Sequence, residues 1–371
     1  MSAPKLVFSR RLRQTPFEKR AIEQGAKAFT VYNHMPLSSV YLTPEEDYAH
    51  LCEHVQAWDV ACERQVEVVG KDALALVELV TPRDISKCAV GQCFYAPVCD
   101  ENGGIVNDPI IIRLGEDRFW ISIADSDVLL WMKGIAYGRG MDVSVFEPDV
   151  SPLAVQGPKS FDLMADLVGE HIRDIKFFWF IETQIAGTKV VLARSGWSGQ
   201  GGFEIYLQDS SKGLDLWDAV WQAGEKYNIR AGCPNLIERL ETGLLSYGSD
   251  MTLADNPLEC GLGRFFKLGK PAEYMCREAL DKVATEGVKK KMVHLKITGE
   301  KLTGPRSTWD VKNDQGEVVG ILTSLAYSPK FDSNLSFATV DAAYGSFGQS
   351  LTVDIGGAES RAAVVCNLKW E

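Results

Sequence analysis

The sequence predicts an α+β protein of several domains, built on mostly antiparallel sheets and ending in an all-β domain. Three observations carry this reading. The chain has 371 residues, and one domain usually holds roughly 100–200. Strand-like and helix-like runs alternate with short links as far as Lys290, which is the texture of layered α+β folds. After Lys291 the chain turns to short β-rich runs separated by Gly, Asn, Asp and Ser. That spacing suits a barrel or a small sandwich of about 80 residues.

The elements follow in order. Pro44, Glu45 and Glu46 suit a first helical turn. Tyr48, Leu51, Val55 and Trp58 continue it as an apolar stripe, so a helix is expected over 44–58. Gln65 to Val69 reads as a strand, Gly70-Lys71-Asp72 as a turn, and Ala73 to Val80 as a helix. Further strands are expected at Phe119 to Ile123, Met141 to Phe146, Leu153 to Gln156, Lys189 to Ala193 and Phe203 to Leu207. Helices are expected at Asp125 to Tyr137, with Val128, Leu129 and Met132 inward, and at Ser160 to Val168. Two more are expected, one around Leu214, Trp217, Val220 and Trp221 and one over Leu236 to Tyr247. The charged run Glu278 to Lys290 reads as a helical connector. Beyond it, strands are expected at Met292–Ile297, Val318–Thr323, Leu335–Val340, Ser350–Val353 and Ala362–Leu368.

Composition excludes several classes of function. The net charge is −11, from 39 basic and 50 acidic residues, a poor balance for holding nucleic acid, whose phosphates need a basic surface. Apolar stretches such as Pro109 to Ile112 fall far short of the ~18 residues that span a bilayer. Ser9-Arg10-Arg11-Leu12-Arg13 is not followed by an apolar run, so it does not read as an export signal. The nine cysteines are odd in number and contain no C-x-x-C, which favours reduced, buried thiols in a cytoplasmic protein. His50-Leu51-Cys52-Glu53-His54 matches H-x-x-E-H. With five histidines in all and no third acidic ligand at a telling place, we read it as a chance match in a helix and expect no metal. Nucleotide-binding loops and the G-x-S-x-G elbow are absent from the sequence.

The most informative stretch is Ser195 to Tyr206, SGWSGQGGFEIY. Gly196, Gly199, Gly201 and Gly202 surround Trp197, and a strand follows at once. Alternation along that strand sends Phe203, Ile205 and Leu207 to a core and leaves Glu204 and Tyr206 side by side on the other face. A carboxylate and a phenol beside a glycine-shaped loop suit a heteroaromatic ligand with N–H donors. Gly103 to Pro109 reads as a tight turn, followed by a strand that carries Asn107 and Asp108 outward. Aromatics such as the run Phe177-Phe178-Trp179-Phe180 and the isolated Trp197 are core residues by default, with a cation-binding pocket wall as the alternative.

Taken in order, several pieces resemble the glycine-cleavage T-protein family of folate-dependent enzymes. They are Trp58-Asp59-Val60 with Val66 to Ala73, Gly103 to Asp108, Gln156-Gly157-Pro158, Arg194 to Tyr206, Ile237 to Gly243 with Tyr247 to Met251, and Pro257 to Leu262. In the last domain Gly316 to Gly320 leads to Thr323-Ser324 and Tyr327-Ser328-Pro329. The resemblance implies a three-domain ring with ferredoxin-like, antiparallel α+β folate-binding domains and a C-terminal all-β barrel. Residues 1–280 would form the folate-binding region, as two interleaved subdomains, and 281–371 the barrel. It also implies tetrahydrofolate as cofactor, with Glu204 on the pterin and Asp108 and Tyr206 beside the folate and the reacting groups. Tyr32, Tyr95, Ser122, Trp179, Trp197 and Tyr206 would line the substrate side.

The chain departs from ordinary members at Ala61 to Gln65, at Asn107-Asp108-Pro109 and at Trp197 with Gly201-Gly202. These departures are similar to a branch of the family that demethylates dimethylsulfoniopropionate, so direct transfer of a sulfonium methyl group to folate is the implied reaction. A positioned transfer of that kind needs no metal and draws up to ~7–11 kcal/mol from proximity and orientation. An aminomethyltransferase, a demethylase of an N-methylated substrate such as dimethylglycine or betaine, and a folate-binding protein without turnover stay open. A homodimer is kept as a further expectation, and Arg64 and Lys133 are weak candidates for the substrate carboxylate.

Overall fold

The computed structural model describes residues 9–304, 309–356, 359–367 and 370. The chain folds into two compact units. The first comprises the residues up to Gln65, Glu147–Gly196 and Gln200–Pro234, and the second Val66–Phe146, Trp197–Gly199 and everything from Asn235 onward.

The first unit is built on a six-stranded sheet. Its strands lie in the order Phe180–Ile185, Thr188–Ala193, Gly202–Leu207, Ser151–Gln156, Val55–Asp59 and Ile229–Gly232. All neighbours are antiparallel except the last pair, which is parallel. Helices Ser160–Val168 and Gly213–Gly224 cover one face. Leu163, Met164, Leu216, Trp217 and Val220 pack there on Leu153, Val155, Leu192, Phe203 and Ile205. Side chains alternate faces along a strand, so Glu204 and Tyr206 point away from this core, opposite Ala154 and Pro152 of the neighbouring strand. The expected alternation along this strand holds.

The second unit holds a five-stranded sheet in the order Ser144–Phe146, Gln65–Val69, Arg118–Ser122, Ile110–Gly115 and Cys93–Tyr95. Helices Ala73–Leu79 and Val128–Arg139 pack on it through Leu76, Val77, Val128 and Met132 against Val66, Val68, Phe119 and Ile121. The C-terminal strands close into a six-stranded barrel: Lys290–Ile297, Ser333–Asp341, Val318–Ser328, Trp309–Lys312, Ser350–Gly356 and Glu359–Cys366. Closure leaves no unpaired sheet edge. The expected α+β class and all-β C-terminal barrel are both present, although Leu368 of the last expected strand lies outside the described residues.

Several boundaries differ from the pattern-based expectation. The helix expected over 44–58 ends at Glu53. His54 leaves helical geometry at φ −129°, ψ −134°, and Val55–Asp59 is a fully buried strand. Val55 and Trp58 match a helical stripe, but in a strand buried on both faces they fall on opposite sides: Val55 and Ala57 join the helix-covered core while Trp58 packs on the other face with Leu51 and Ala154. The helix expected over Leu236 to Tyr247 stops at Thr242, because Gly243 adopts φ 74°, ψ 28° as its left-handed cap. The strand Trp309–Lys312 escaped notice because four residues carry too little alternation to register. Asn107 is not carried outward. It is fully buried, accepts from the Ala124 N–H at 3.0 Å and donates to Ala124 O at 3.0 Å and Ser126 Oγ at 2.9 Å.

All nine cysteines are free, and eight are buried. Among the described residues no helix is long and apolar enough to cross a membrane. The His50 and His54 rings lie 4.9 Å apart, tilted at 45°, and the buried His50 bonds Asn228 O at 2.8 Å, so His50 braces the helix against the strand-leading turn.

Gly157 sits at φ 121°, and a Cβ there would collide with the carbonyl of His54. We expect Gly157→Ala to cost roughly 1–3 kcal/mol of stability. Urea unfolding followed by circular dichroism checks this as a lowered midpoint at unchanged slope.

Candidate active site

The glycines before the strand Gly202–Leu207 are needed for shape. Gly196, Gly201 and Gly202 hold φ of 147°, 78° and 156°, values that only glycine adopts freely. A Cβ on Gly196 or Gly202 would occupy the space of the Gln156 amide. That amide donates to Ser195 O at 3.2 Å and to Phe203 O at 3.4 Å, while the Gly157 N–H donates to Gly201 O at 3.0 Å. The Gln156-Gly157 pair therefore fixes both ends of the loop.

The loop delivers Ser195 to Glu204. Glu204 is only 6% exposed. Ser195 Oγ donates to its Oε2, and Tyr206 OH donates to the same oxygen at 3.2 Å. Among the described residues no donor reaches Oε1. Burial raises the Glu204 carboxyl above its ordinary pKa, and the two hydroxyl donors pull it back. The result is a carboxylate with one satisfied oxygen and one open acceptor, the acceptor complement for a ligand edge carrying N–H groups. Ser195 was not anticipated, since nothing in the sequence tells a loop serine with a partner from one without.

A second carboxyl cluster lies in the other unit. Tyr95 OH donates to Asp108 Oδ2 at 3.1 Å. Burial pushes the Asp108 carboxyl up to about 7, partly offset by the Tyr95 bond and reinforced by the charge of Asp250. Burial also drives the Tyr95 phenol well above its ordinary range, so it stays a donor. Ser122 is buried where its strand pairs with Ile110. Trp197 belongs to this unit too, and the guanidinium of Arg239 lies 5.7 Å from its ring centre. The Gly199 N–H donates to Glu238 Oε1.

The remaining candidates fall as follows. Tyr32 ends the hairpin strand Ala28–Tyr32 of the first unit, just before Asn33 and His34 turn at φ 48° and 63°. Trp179 packs partly buried against the helical core of the same unit. Arg64 is tied to Glu147 by Nη2 at 2.5 Å and Nε at 3.1 Å, beside Arg13 on the same carboxylate. Lys133 is exposed on the helix Val128–Arg139.

The GCVT N-terminal domain matches residues 17–270, and the glycine cleavage T-protein C-terminal barrel domain matches residues 290–369. The chain belongs to the glycine cleavage T-protein family. It is 48% identical over 346 residues to the dimethylsulfoniopropionate demethylase of Ruegeria pomeroyi, covering 93% of this chain and 94% of that one. The aminomethyltransferase of Phocaeicola vulgatus is 28% identical over 95% of this chain and 98% of its own length. In fold, the glycine cleavage system aminomethyltransferase T of Bartonella henselae superposes with a TM-score of 0.87 at 24% identity, over 97% of this chain and 98% of the other.

The Asp108 shift carries a sign. A carboxyl whose pKa rises from 3.8 to about 7 on folding binds its proton more tightly in the native state. Its contribution to stability is full below pH 4 and is lost as pH rises through 7. We expect Asp108→Asn to gain stability relative to wild type across pH 4 to 7. Paired urea titrations at the two ends of that window check it.

Proposed function

We propose that this family member is a tetrahydrofolate-dependent methyltransferase that demethylates dimethylsulfoniopropionate to 3-methylthiopropionate, forming 5-methyltetrahydrofolate. The observation that carries the reading is the 48% identity to a dimethylsulfoniopropionate demethylase across nearly the full length of both chains. The relationship to aminomethyltransferases is much weaker, at 28%. We further assign residues 1–280 as the folate-binding region and 281–371 as the barrel, in a cytoplasmic homodimer.

The residues support roles that the chemistry requires. Glu204 offers Oε1 to the N–H edge of the pterin, while Ser195 and Tyr206 on Oε2 keep the carboxylate oriented. Bound tetrahydrofolate supplies the nucleophilic nitrogen that receives the methyl group. Trp197 offers an aromatic face to the sulfonium, an attraction of ~0.5–2 kcal/mol, and Tyr32, Tyr95, Ser122, Trp179 and Tyr206 complete the substrate side. Charge on sulfur vanishes during transfer, so a face of moderate attraction holds the cation without favouring the ground state over the transition state. Asp108, titrating near 7, is suited to accept the one proton that the transfer releases.

Incubating the purified protein with tetrahydrofolate and dimethylsulfoniopropionate tests the reading. Equal amounts of 5-methyltetrahydrofolate and 3-methylthiopropionate are expected. Product from dimethylglycine or a lipoyl carrier protein, and none from dimethylsulfoniopropionate, would overturn it. With the fold intact by circular dichroism, Trp197→Ala and Tyr206→Phe should each lower kcat/KM by about 10-fold or more.

A further inference from the structure

Beyond these roles, the helix Leu236–Thr242 carries a pair of buried charged residues whose side chains converge on the Trp197 loop. Glu238 is 1% exposed, and its Oε1 takes the Gly199 N–H, two residues beyond the indole. Arg239 is 5% exposed, and its guanidinium lies 5.7 Å from the Trp197 ring centre and 5.5 Å from that of Phe337. A guanidinium is planar and stacks on aromatic faces, which an ammonium does not.

The guanidinium has no freedom to wander. Its Nη1 bonds Asp250 Oδ2 and Leu244 O, the latter at 3.2 Å, and Nη2 donates to Ser324 Oγ at 2.6 Å. Asp250 is in turn fixed by the Ser246 N–H at 2.9 Å, Thr323 Oγ1 at 2.7 Å and Ser324 Oγ at 2.6 Å. The chain therefore runs from barrel strand to Asp250 to Arg239 through hydrogen bonds, and from the guanidinium to the half-buried indole through a cation–ring contact. Gly199 shows how closely the loop sits on this helix, since a Cβ there would overlap Thr242 Cγ2 and Glu238 Oε1. The stretch Trp197–Gly199 groups with this unit, while its flanks group with the other.

We infer that Arg239, locked by Asp250 and Ser324, is the positioning residue for Trp197, and that Glu238 pins the same loop through Gly199. The pair fixes the angle at which the indole presents its face to the methyl donor. Asp250 has a second consequence. It neutralises the guanidinium, so a cationic substrate meets an aromatic face backed by a compensated charge. This inference rests on Trp197 being the cation-binding aromatic of the proposed reaction.

Arg239→Lys tests it, because lysine keeps the charge for Asp250 and loses the planar face. Two readouts are taken: KM for dimethylsulfoniopropionate against KM for tetrahydrofolate, and the ¹⁹F resonance of Trp197 in 5-fluorotryptophan-labelled protein, assigned by Trp197→Phe. The expected result is a moved Trp197 resonance, a dimethylsulfoniopropionate KM raised about 5- to 20-fold, and a tetrahydrofolate KM within about twofold of wild type. An unmoved resonance, or equal changes in both KM values, overturns the inference. If Arg239→Lys does not fold, Glu238→Gln and Glu238→Ala replace it. Gln keeps an acceptor for the Gly199 N–H and should leave the resonance in place, while Ala should move it, and identical spectra for the two overturn the inference. The ¹⁹F readout needs no turnover, so a wrong methyl donor would show in the product assay and not here. Wild-type kinetics for Trp197→Ala would instead sink the role of Trp197 itself.

Discussion

A carboxylate inside a folded protein must be offered hydrogen bonds or it gives up its charge. Glu204 meets that constraint in a lopsided way. Ser195 and Tyr206 both serve Oε2, and Oε1 keeps its acceptor capacity. Most of what surrounds it follows from arranging that imbalance. The strand must alternate so that Phe203 and Ile205 bury in the helical core while Glu204 and Tyr206 face the other way. The loop must bend through three positive-φ glycines to bring Ser195 back to the carboxylate. Gln156 must reach into the space those glycines leave, and Gly157 must hold Gly201.

The second unit uses a different solution to the same problem. Asp108 has one phenol donor, and its carboxyl moves toward neutrality. Asp250 lies deeper but keeps a guanidinium, two hydroxyls and a backbone N–H. Buried carboxylates with unequal donor sets are suited to unequal tasks. In the proposed reaction Glu204 binds a hydrogen-bond donor, Asp108 accepts a proton, and Asp250 anchors the guanidinium beside Trp197.

The parts of this arrangement that depend on local pattern were legible in the sequence. Alternation along Phe203 to Leu207 separated the core face from the face of Glu204 and Tyr206, the helix Ser160–Val168 was bounded correctly, and the change of texture after Lys291 marked the barrel. Family-like motifs picked out Gln156-Gly157-Pro158, the 237–243 run and the 247–251 run without giving any of them a task. Their tasks are long-range. Gln156 meets Ser195, Arg239 meets Asp250 and Ser324, and Glu238 meets Gly199. No spacing along the chain encodes a partner 39 or 85 residues away. The split of 44–58 into helix and strand failed for another reason. Val55 and Trp58 fit a helical stripe, a strand buried on both faces carries apolar residues on either side, and only pairing with the strands Ser151–Gln156 and Ile229–Gly232 decides between the two. Asn107 failed because a polar side chain after a turn reads as exposed, whereas here it satisfies the backbone of Ala124.

In the proposed function, folate recognition turns on the open oxygen of Glu204. Calorimetric binding of tetrahydrofolate to wild type and Glu204→Gln tests it most directly. An amide whose oxygen is taken by Ser195 and Tyr206 turns its NH2 toward the ligand's own donors. The expected result is a Kd raised about 10- to 100-fold, the cost of losing a charge-assisted acceptor, with the unfolding midpoint close to wild type. Equal affinities in the two proteins would contradict the assignment of Glu204 to the pterin.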